Sequence, residues 1–381
     1  TSMVARELKE QGYYITSLEK VEQQSSSSLN FDLSFLKSIS TEELAVFSQQ
    51  FSVMINAGIP LIDSLDIVKE QSDNKKFQNI IDDLISKIEA GKSLSEALKN
   101  HPKVFPDFYS NLIEAGETGG ILDEVLSRLT SYYRRLNEIN KEIKSALYYP
   151  IIILIVAVGW IIFLLNSVVP NIVGMFKNQN IRLPLPTRIL LGLSNFMQNY
   201  WWLVIGALLL IIIGSISYFR TSHGRYIFGK IILKIPIAGP LVRKIAISRF
   251  SSTLSILLSS GVNVLSALAV VEEVVNNSVI ADCIIETRNR LREGVNISQP
   301  LEESGEFPPM VIQMIKIGEE TGSLDQMLSR VAEFYDHEVE TSIEGTISLI
   351  EPIMIVFLAL IVGFIAISII MPLFEMYSMI G

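Results

Sequence analysis

The sequence predicts an all-α membrane protein with two homologous six-helix cytoplasmic bundles and three transmembrane helices. Three observations lead to this fold class: the apolar residues are clustered, the charged residues are sorted along the chain, and the chain repeats itself. Hydrophobic residues make up 49% of the 381 residues and charged residues only 19%, with a mean hydropathy of +0.39. The positive mean hydropathy is unusual for an ordinary soluble domain.

Three long stretches have no charged side chain, at 145–176, 189–219 and 352–374. A helix of about 20 apolar residues crosses the hydrocarbon core of a bilayer, so each stretch is long enough to span a membrane. The stretches exclude a wholly soluble cytoplasmic protein. They contain the three predicted transmembrane helices.

The charged residues divide the chain into acidic domains and a basic segment beside the membrane. The chain has 40 acidic and 31 basic residues, a net charge of −9, which argues against nucleic-acid binding because phosphate contacts need a basic face. Residues 220–247 have six basic and no acidic side chains and directly follow the second uncharged stretch. Since basic flanks stay on the cytoplasmic side, we expect a multi-pass protein of the cytoplasmic (inner) membrane, with its N-terminus inside and its C-terminus outside.

An internal repeat joins each domain to the membrane helix that follows it. Residues 47–65 (FSQQFSVMINAGIPLIDSL) match residues 250–268 (FSSTLSILLSSGVNVLSAL) at a constant offset of 203. After a slip of one residue the match continues at an offset of 202, which aligns Pro150 with Pro352. Such a repeat indicates a duplicated structural unit. The second membrane helix is the extra element, and it returns the chain so that both domains lie on one side.

Within each unit the apolar residues recur with a helical period. Leu44, Phe47 and Phe51 are three and four residues apart, which places them on one face of a helix. Gly58 and Gly261 follow the first helix of each unit, where a glycine commonly ends a helix. The predicted helices of the first domain are 42–56, 60–72, 75–90, 93–100, 106–116 and 120–149.

Composition, charge and repeat together predict nine segments in chain order. They are the N-terminal segment and linker (1–40), the first cytoplasmic helical domain (41–149), the first transmembrane helix (150–170), an extracytoplasmic loop (171–199), the second transmembrane helix (200–219), a basic juxtamembrane segment (220–247), the second cytoplasmic helical domain (248–351), the third transmembrane helix (352–373) and an extracytoplasmic C-terminus (374–381).

The most distinctive motif is a turn that occurs once in each unit, AGETGGILD at 115–123 and IGEETGSLD at 317–325. Its glycines permit backbone angles that other residues avoid. Glu117 and Glu319 are not required by such a turn, so they either contact a partner or order the turn. At the boundary of the third span, Glu351 is either an interfacial residue or a functional contact.

The sequence contains no recognisable catalytic, cofactor-binding or metal-binding constellation. Residues 224–230 (GRYIFGK) resemble a phosphate loop, but Ile231 stands where a magnesium-binding Ser or Thr is needed, and no strand precedes the segment. His101, His223 and His337 lack the spacing of zinc ligands. The uncharged stretches have no ionisable residue of the kind that transporters use. We therefore expect no enzyme activity, no cofactor and no metal.

The chain resembles the type II secretion system F family, which includes the inner-membrane platform proteins of type IV pilus machines. The resemblance rests on the doubled domain-plus-span layout, the two turns, ALYYP at 146–150 and LIEP at 349–352, and it covers nearly the whole chain. The residues that match the family's motifs are Gly116, Glu117, Gly119, Gly318, Glu319 and Gly322 in the turns, and Pro150, Glu351 and Pro352 at the membrane.

The resemblance implies a non-enzymatic platform that couples a cytoplasmic hexameric assembly ATPase to the incorporation of pilins or pseudopilins into a filament. Its implied partners also include other assembly-platform membrane proteins, membrane lipid and a second copy of the chain, a dimer being favoured. A membrane transporter or channel and a membrane-anchored scaffold are the alternatives. Neighbouring genes for a secretion ATPase and prepilins would favour the platform.

Overall fold

The computed structural model describes residues 39–171, 184–219 and 221–380 of the chain. Within these ranges all regular secondary structure is helical, as the sequence predicts. The predicted N-terminal segment lies almost wholly outside them, as do residues 172–183 of the predicted loop at 171–199. The rest of that predicted loop, from residue 185 on, is helical.

The first domain is built from five helices and the start of a sixth. Their bounds are α1 Thr41–Asn56, α2 Leu61–Gln71, α3 Lys75–Glu89, α4 Leu94–Leu98, α5 Asp107–Gly119 and α6 Leu122–Phe163. Local signals fix several starts, because Ser40 and Ser93 accept hydrogen bonds from the backbone N–H of Glu43 and Glu96 in reciprocal capping boxes. After α1, Gly58 has a φ of +79°, which confirms its predicted role at a helix end.

The second domain repeats this order of helices. Its helices are α9 Ala238–Ser259, α10 Val264–Val274, α11 Ser278–Arg292, α12 Ser298–Ser304, α13 Pro309–Thr321 and α14 Leu324–Ile380. The bounds of α10 and α11 equal those of α2 and α3 shifted by 203 residues, and α13 equals α5 shifted by 202. The repeat in the sequence is therefore a repeat in structure, with the same helices at the same offsets.

Two further helices connect the domains. They are α7 Leu185–Phe219 and α8 Ser222–Lys234. Thr221 begins α8, because its hydroxyl accepts a hydrogen bond from the backbone N–H of Gly224 at 3.1 Å. The phenylalanine rings of Phe219 and Phe228 lie 4.7 Å apart, so α8 packs against the end of α7.

The last helix of each domain continues without interruption into an apolar segment. α6 extends through a π-helical turn at Leu164–Val168, and the whole run Leu122–Asn171 is 50 residues long. In the second domain, Leu324–Pro372 is 49 residues long. Both runs are long and apolar enough to cross a bilayer, and in the most apolar 18 residues of each only 6% and 11% of the residues are buried. Of the predicted middle span, Leu209–Phe219 is a shorter apolar stretch, so a third crossing stays a prediction.

The buried side chains of the two domains form one continuous hydrophobic cluster. At its centre in the first domain, the ring of Phe47 lies 5.3–5.6 Å from those of Phe51, Phe77 and Phe105. The second domain keeps one such ring pair, Phe250 and Phe307, at 5.1 Å. Because the cluster is shared, the domains pack against each other as well as within themselves.

Candidate functional site

The two motif turns have the same backbone conformation. Gly120 and Gly322 directly follow α5 and α13 and have φ of +67° and +69°, a left-handed conformation that glycine adopts without strain. The structure therefore assigns the turn to Gly120, whereas Gly119 is the last residue of α5. The repeat offset of 202 already pairs Gly120 with Gly322 and Gly119 with Thr321, so that alignment could have identified Gly120.

The first glycine of each motif is buried where the two helices meet. A Cβ added at Gly116 would lie 3.1 Å from the Cβ of Val125 and 3.2 Å from the Cα of Leu122. At Gly318 the added Cβ would lie 2.8 Å from the Cα of Leu324. These glycines therefore let the shorter helix approach the start of the long membrane-bound helix.

Glu117 caps a neighbouring helix of its own domain. Its carboxylate accepts hydrogen bonds from the backbone N–H of Leu94 at 2.7 Å and of Ser95 at 3.1 Å, and from the Ser95 hydroxyl at 2.5 Å. Ser93 accepts from the next free N–H, that of Glu96, at 3.2 Å. The first turn of α4 is thus fully bonded, and a negative charge lies at the end of the helix that favours it.

Glu319 repeats this arrangement at α12. Its carboxylate accepts hydrogen bonds from the backbone N–H of Ile297, from that of Ser298 at 3.2 Å, and from the Ser298 hydroxyl at 2.6 Å. Each glutamate thus joins the helix before its turn to the start of α4 or α12. Ordering of the turn itself, one of the two roles that the sequence left open, stays a prediction. Contact with a partner, the other role, stays a prediction.

The membrane-boundary residues lie far from the turns along the same helices. Pro150 is inside α6 and Pro352 is inside α14, so neither proline ends its helix. Glu351 and Pro352 are exposed, and Pro150 is half-buried. The 28 residues between Leu122 and Pro150 correspond to about 42 Å of helix. The structure therefore does not bring the turn and boundary motifs together, but one rigid element connects them.

A polar contact that the sequence did not predict joins the two long helices. From α6, the Nη1 of Arg135 donates to the Oε1 of Glu340 at 2.6 Å, and its Nη2 donates to the backbone carbonyl of Asp336 at 2.9 Å. Its Nε lies 3.6 Å from the Oδ2 of Asp336. Below this contact, Ile139 packs against Val339 and Ile343 of α14. We call this contact surface between α6 and α14 the seam.

The two carboxylates of the seam are perturbed in opposite directions. Burial raises the pKa of Asp336 above that of an ordinary aspartate, although the hydroxyl of Ser248 donates to its carboxylate and Arg135 lies beside it. The hydrogen bond from Arg135 lowers the pKa of Glu340. Arg135 therefore stabilises one charge directly and compensates only part of the desolvation of the other.

The described residues bring together no cluster of three or more side chains that could hold a metal ion. Residues 224–230 lie within α8 rather than in a loop around a phosphate. The geometry therefore supplies helical surfaces and a rigid connection to the membrane segments.

Comparisons with known proteins agree with the repeat. The family described as Type II secretion system (T2SS), protein F matches residues 47–170 and 250–372. The chain is 40% identical over 335 residues to the type IV pilus assembly protein PilC of Myxococcus xanthus, covering 88% of this chain and 80% of the relative. It is 38% identical to PilC of Thermus thermophilus, covering 88% and 82%. It is 33% identical over 383 residues to the type II secretion system protein F of Aeromonas hydrophila, covering 99% and 97%.

The family match covers both repeat units, each with its domain and the apolar run that follows it. The matching relatives include proteins named for type IV pilus assembly and proteins named for type II secretion. An all-α membrane protein with two family repeats is the fold that the sequence predicts. The chain belongs to the type II secretion system protein F family.

Proposed function

We propose that this chain is a non-enzymatic platform of a type IV pilus or type II secretion machine in the cytoplasmic membrane. It couples a cytoplasmic hexameric assembly ATPase to the incorporation of pilins or pseudopilins into a filament. The names of the relatives support the machine, and the coupling is inferred from the geometry described above. In this proposal the chain crosses the membrane three times, with its N-terminus inside and its C-terminus outside.

The continuity of α6 and α14 is the observation that carries this proposal. Each helix begins at a motif turn and continues into an apolar run long enough to span a bilayer. A helix transmits displacement along its axis because every backbone hydrogen bond links it to the next turn. A partner that moves one of the domains would therefore move its membrane segment.

The seam makes the two long helices move together. Arg135 bonds Glu340 and Asp336 across the gap between α6 and α14, and Ile139 packs below them. Charged groups that are partly removed from water and bonded in more than one direction resist separation more than exposed ion pairs do. Force applied to either domain would then reach both membrane segments.

The basic helix α8 supports the proposed orientation. Arg225, Lys230 and Lys234 are exposed on it, directly after the apolar end of α7. Basic residues beside a span favour the cytoplasmic side and the anionic lipid surface. In the same orientation both helical domains face the cytoplasm, where an ATPase would act.

Arg135→Met tests whether the seam transmits movement between the two long helices or whether the protein only gathers its partners. The variant would be expressed in cells of the source organism that lack their own copy of the protein. There we expect it to retain the ATPase in pull-downs but to assemble few filaments. The matched control is Arg134→Met. The Arg134 side chain is 65% exposed, and its Nε lies 3.8 Å from the Oε1 of Glu138 on its own helix. Membrane levels and Tm of both variants would be compared.

The two alternatives predict different results. A scaffold that only gathers partners would keep both the ATPase and filament assembly in Arg135→Met, because no movement needs to cross the seam. A transporter or channel would show solute flux in proteoliposomes without any ATPase or pilin. Either result, at normal protein levels, would overturn the platform proposal.

A further inference from the structure

Away from the membrane boundary, within residues 41–146 and 248–348, six large apolar side chains of the two domains are exposed. Their exposed fractions run from 36% for Ile67 to 62% for Val53. The first domain has Val46 and Val53 on α1 and Ile67 on α2, and the second has Met310 and Ile317 on α13 and Phe334 on α14. Exposed apolar side chains grouped on one face indicate a contact surface.

The repeat shows what covers the counterparts of the three first-domain residues. At the offset of 203 these counterparts are Arg249, Ile256 and Val270. Arg249 and Ile256 line a cavity of about 290 Å³ between α6 and α9. Val270 is 7% exposed and lines a second cleft, between α5 and α10. All three therefore face the first domain.

The counterparts of the three second-domain residues lie on the opposite side of the same contact. At the offset of 202 they are Phe108, Ala115 and Tyr132. Tyr132 lines the cavity with Ile256, and Ala115 lines the cleft with Val270. Phe108 is buried, with its ring 4.7 Å from that of Tyr132.

Besides the seam, each domain thus uses a different one of two faces inside the chain. The first domain presents its α5–α6 face, and the second presents its α9–α10 face. The equivalent of the second face in the first domain is the exposed surface of α1 and α2. The equivalent of the first face in the second domain is the exposed surface of α13 and α14. The α1–α2 face and the α13–α14 face are therefore both exposed. Their counterparts in the repeat are already in contact with each other inside the chain.

One pair of charges at these faces favours a contact between them. Glu114 and Ser266 line the internal cleft together. At the equivalent positions of the unused faces stand Lys316 and Asp63. In a contact between two copies, Lys316 and Asp63 would therefore take the places that Glu114 and Ser266 have in the internal cleft. The opposite charges of Lys316 and Asp63 attract each other across an interface.

We propose that a second copy of this chain docks head to tail, with the α13–α14 face of one protomer on the α1–α2 face of the next. The contact repeats the one between the two domains of a single chain. It rests on the second copy of the chain that the resemblance to the platform family implies, and it specifies the surfaces in contact. Such a heterologous contact joins unlike patches and can close into a ring, whereas a two-fold dimer joins each patch to itself.

Disulfide cross-linking in lipid nanodiscs tests this arrangement. In a Cys283→Ser background, Val53→Cys is placed on one chain and Phe334→Cys on another, and the two are co-expressed with different tags. Because Ile256 and Tyr132 share the internal cavity, we expect oxidation to link the two tagged chains. Each single-cysteine chain expressed alone should remain unlinked. Ile67→Cys with Ile317→Cys should behave in the same way.

The matched control pairs Phe334→Cys with Ser86→Cys, an exposed position on α3 away from both faces, which should give no link. Mass photometry of the unmodified chain in nanodiscs separates two kinds of failure. A monomer would overturn the proposed self-association together with this contact. An oligomer in which Val53→Cys links only to itself, or in which neither pair links, would overturn the head-to-tail contact alone.

Discussion

The two domains of this chain share one fold but differ in how its parts are stabilised. The first has three phenylalanines around Phe47, where the second has the single ring pair Phe250 and Phe307. The first caps its short helix α4 with both Ser93 and Glu117, whereas in α12 the N-cap residue, Ile297, has no capping side chain. The buried glycine, the left-handed turn glycine and the capping glutamate are retained in both copies.

This difference indicates which parts of the unit cannot vary. Core side chains can be exchanged as long as the volume is filled, and a helix end can be capped in more than one way. The glycine that allows the close approach of two helices has no substitute. The second domain has fewer ring contacts in its core and lacks an N-cap side chain on α12. Its free energy of unfolding should therefore be the more sensitive of the two to single substitutions.

Alanine at the buried glycines should produce the largest difference between the domains. Gly318→Ala places a Cβ 2.8 Å from backbone, so the helices must separate, and we expect a loss of about 3 kcal/mol. Gly116→Ala meets the Val125 side chain at 3.1 Å and should cost about 1–2 kcal/mol. Thermal unfolding in detergent, followed by circular dichroism, gives the order of the two variants.

Gly345→Ala is the control for the glycine comparison. Gly345 lies within α14 with nothing within 4 Å of an added Cβ. There alanine should stabilise by up to about 1 kcal/mol, because it restricts the unfolded chain and favours helix. Equal losses at Gly116 and Gly318, or a gain at either, would contradict the assigned packing.

Removal of the capping carboxylates should give a smaller difference of the same sign. Glu319→Ala leaves the first N–H groups of α12 without a side-chain acceptor and should cost about 2 kcal/mol. Glu117→Ala leaves Ser93 in place and should cost about 1 kcal/mol. A larger loss for Glu117→Ala would show that the second domain has another cap.

The same two variants test the predicted partner contact. If the glutamates only order the turn, filament assembly per folded protein in the membrane should remain at the level of the unmodified chain. If they also contact a partner, assembly should fall while the folded amount stays the same. Charge reversal at both positions should then abolish assembly.

The smallest expected effect is a pH dependence with opposite signs at the two carboxylates of the seam. Burial raises the pKa of Asp336, so the stability difference between the unmodified chain and Asp336→Asn should move in favour of the variant as pH rises through that pKa. Arg135 lowers the pKa of Glu340, so the unmodified chain should gain on Glu340→Gln as pH rises above the depressed value.

Tm measured for the three proteins between about pH 3 and pH 7 gives both slopes, since ordinary carboxylates titrate near pH 4 and the change at Glu340 lies below its ordinary pKa. Slopes of the same sign would mean that Arg135 does not distinguish the two carboxylates. The seam would then require another arrangement.

The sequence predicted the helices and the repeat because both leave periodic patterns. Apolar residues recur every three or four positions, and Gly58 and Gly261 end the same helix in each copy. Length and hydropathy likewise predicted the apolar runs after each domain. These features depend on neighbouring residues, and one sequence is enough to show them.

The seam and the caps could not be predicted because their partners are distant along the chain. Arg135 and Glu340 are 205 residues apart, and the repeat gives no hint, since the counterpart of Arg135 is His337. Glu117 caps a helix 22 and 23 residues before it, whereas sequence signals of capping lie within four residues. Only the packing of the bundle brings these groups together.

The central claim is that each domain acts on the membrane through one unbroken helix. Four glycines inserted after Lys144, an exposed position of α6 between the bundle and the apolar run, interrupt that helix without entering the core. The same insertion after Lys92, in the exposed turn between α3 and α4, is the control. Filaments would be counted by electron microscopy in cells with equal amounts of each protein. We predict that the Lys144 insertion retains the ATPase and loses the filaments while the Lys92 insertion keeps both, and normal filament assembly with the helix interrupted would contradict the account.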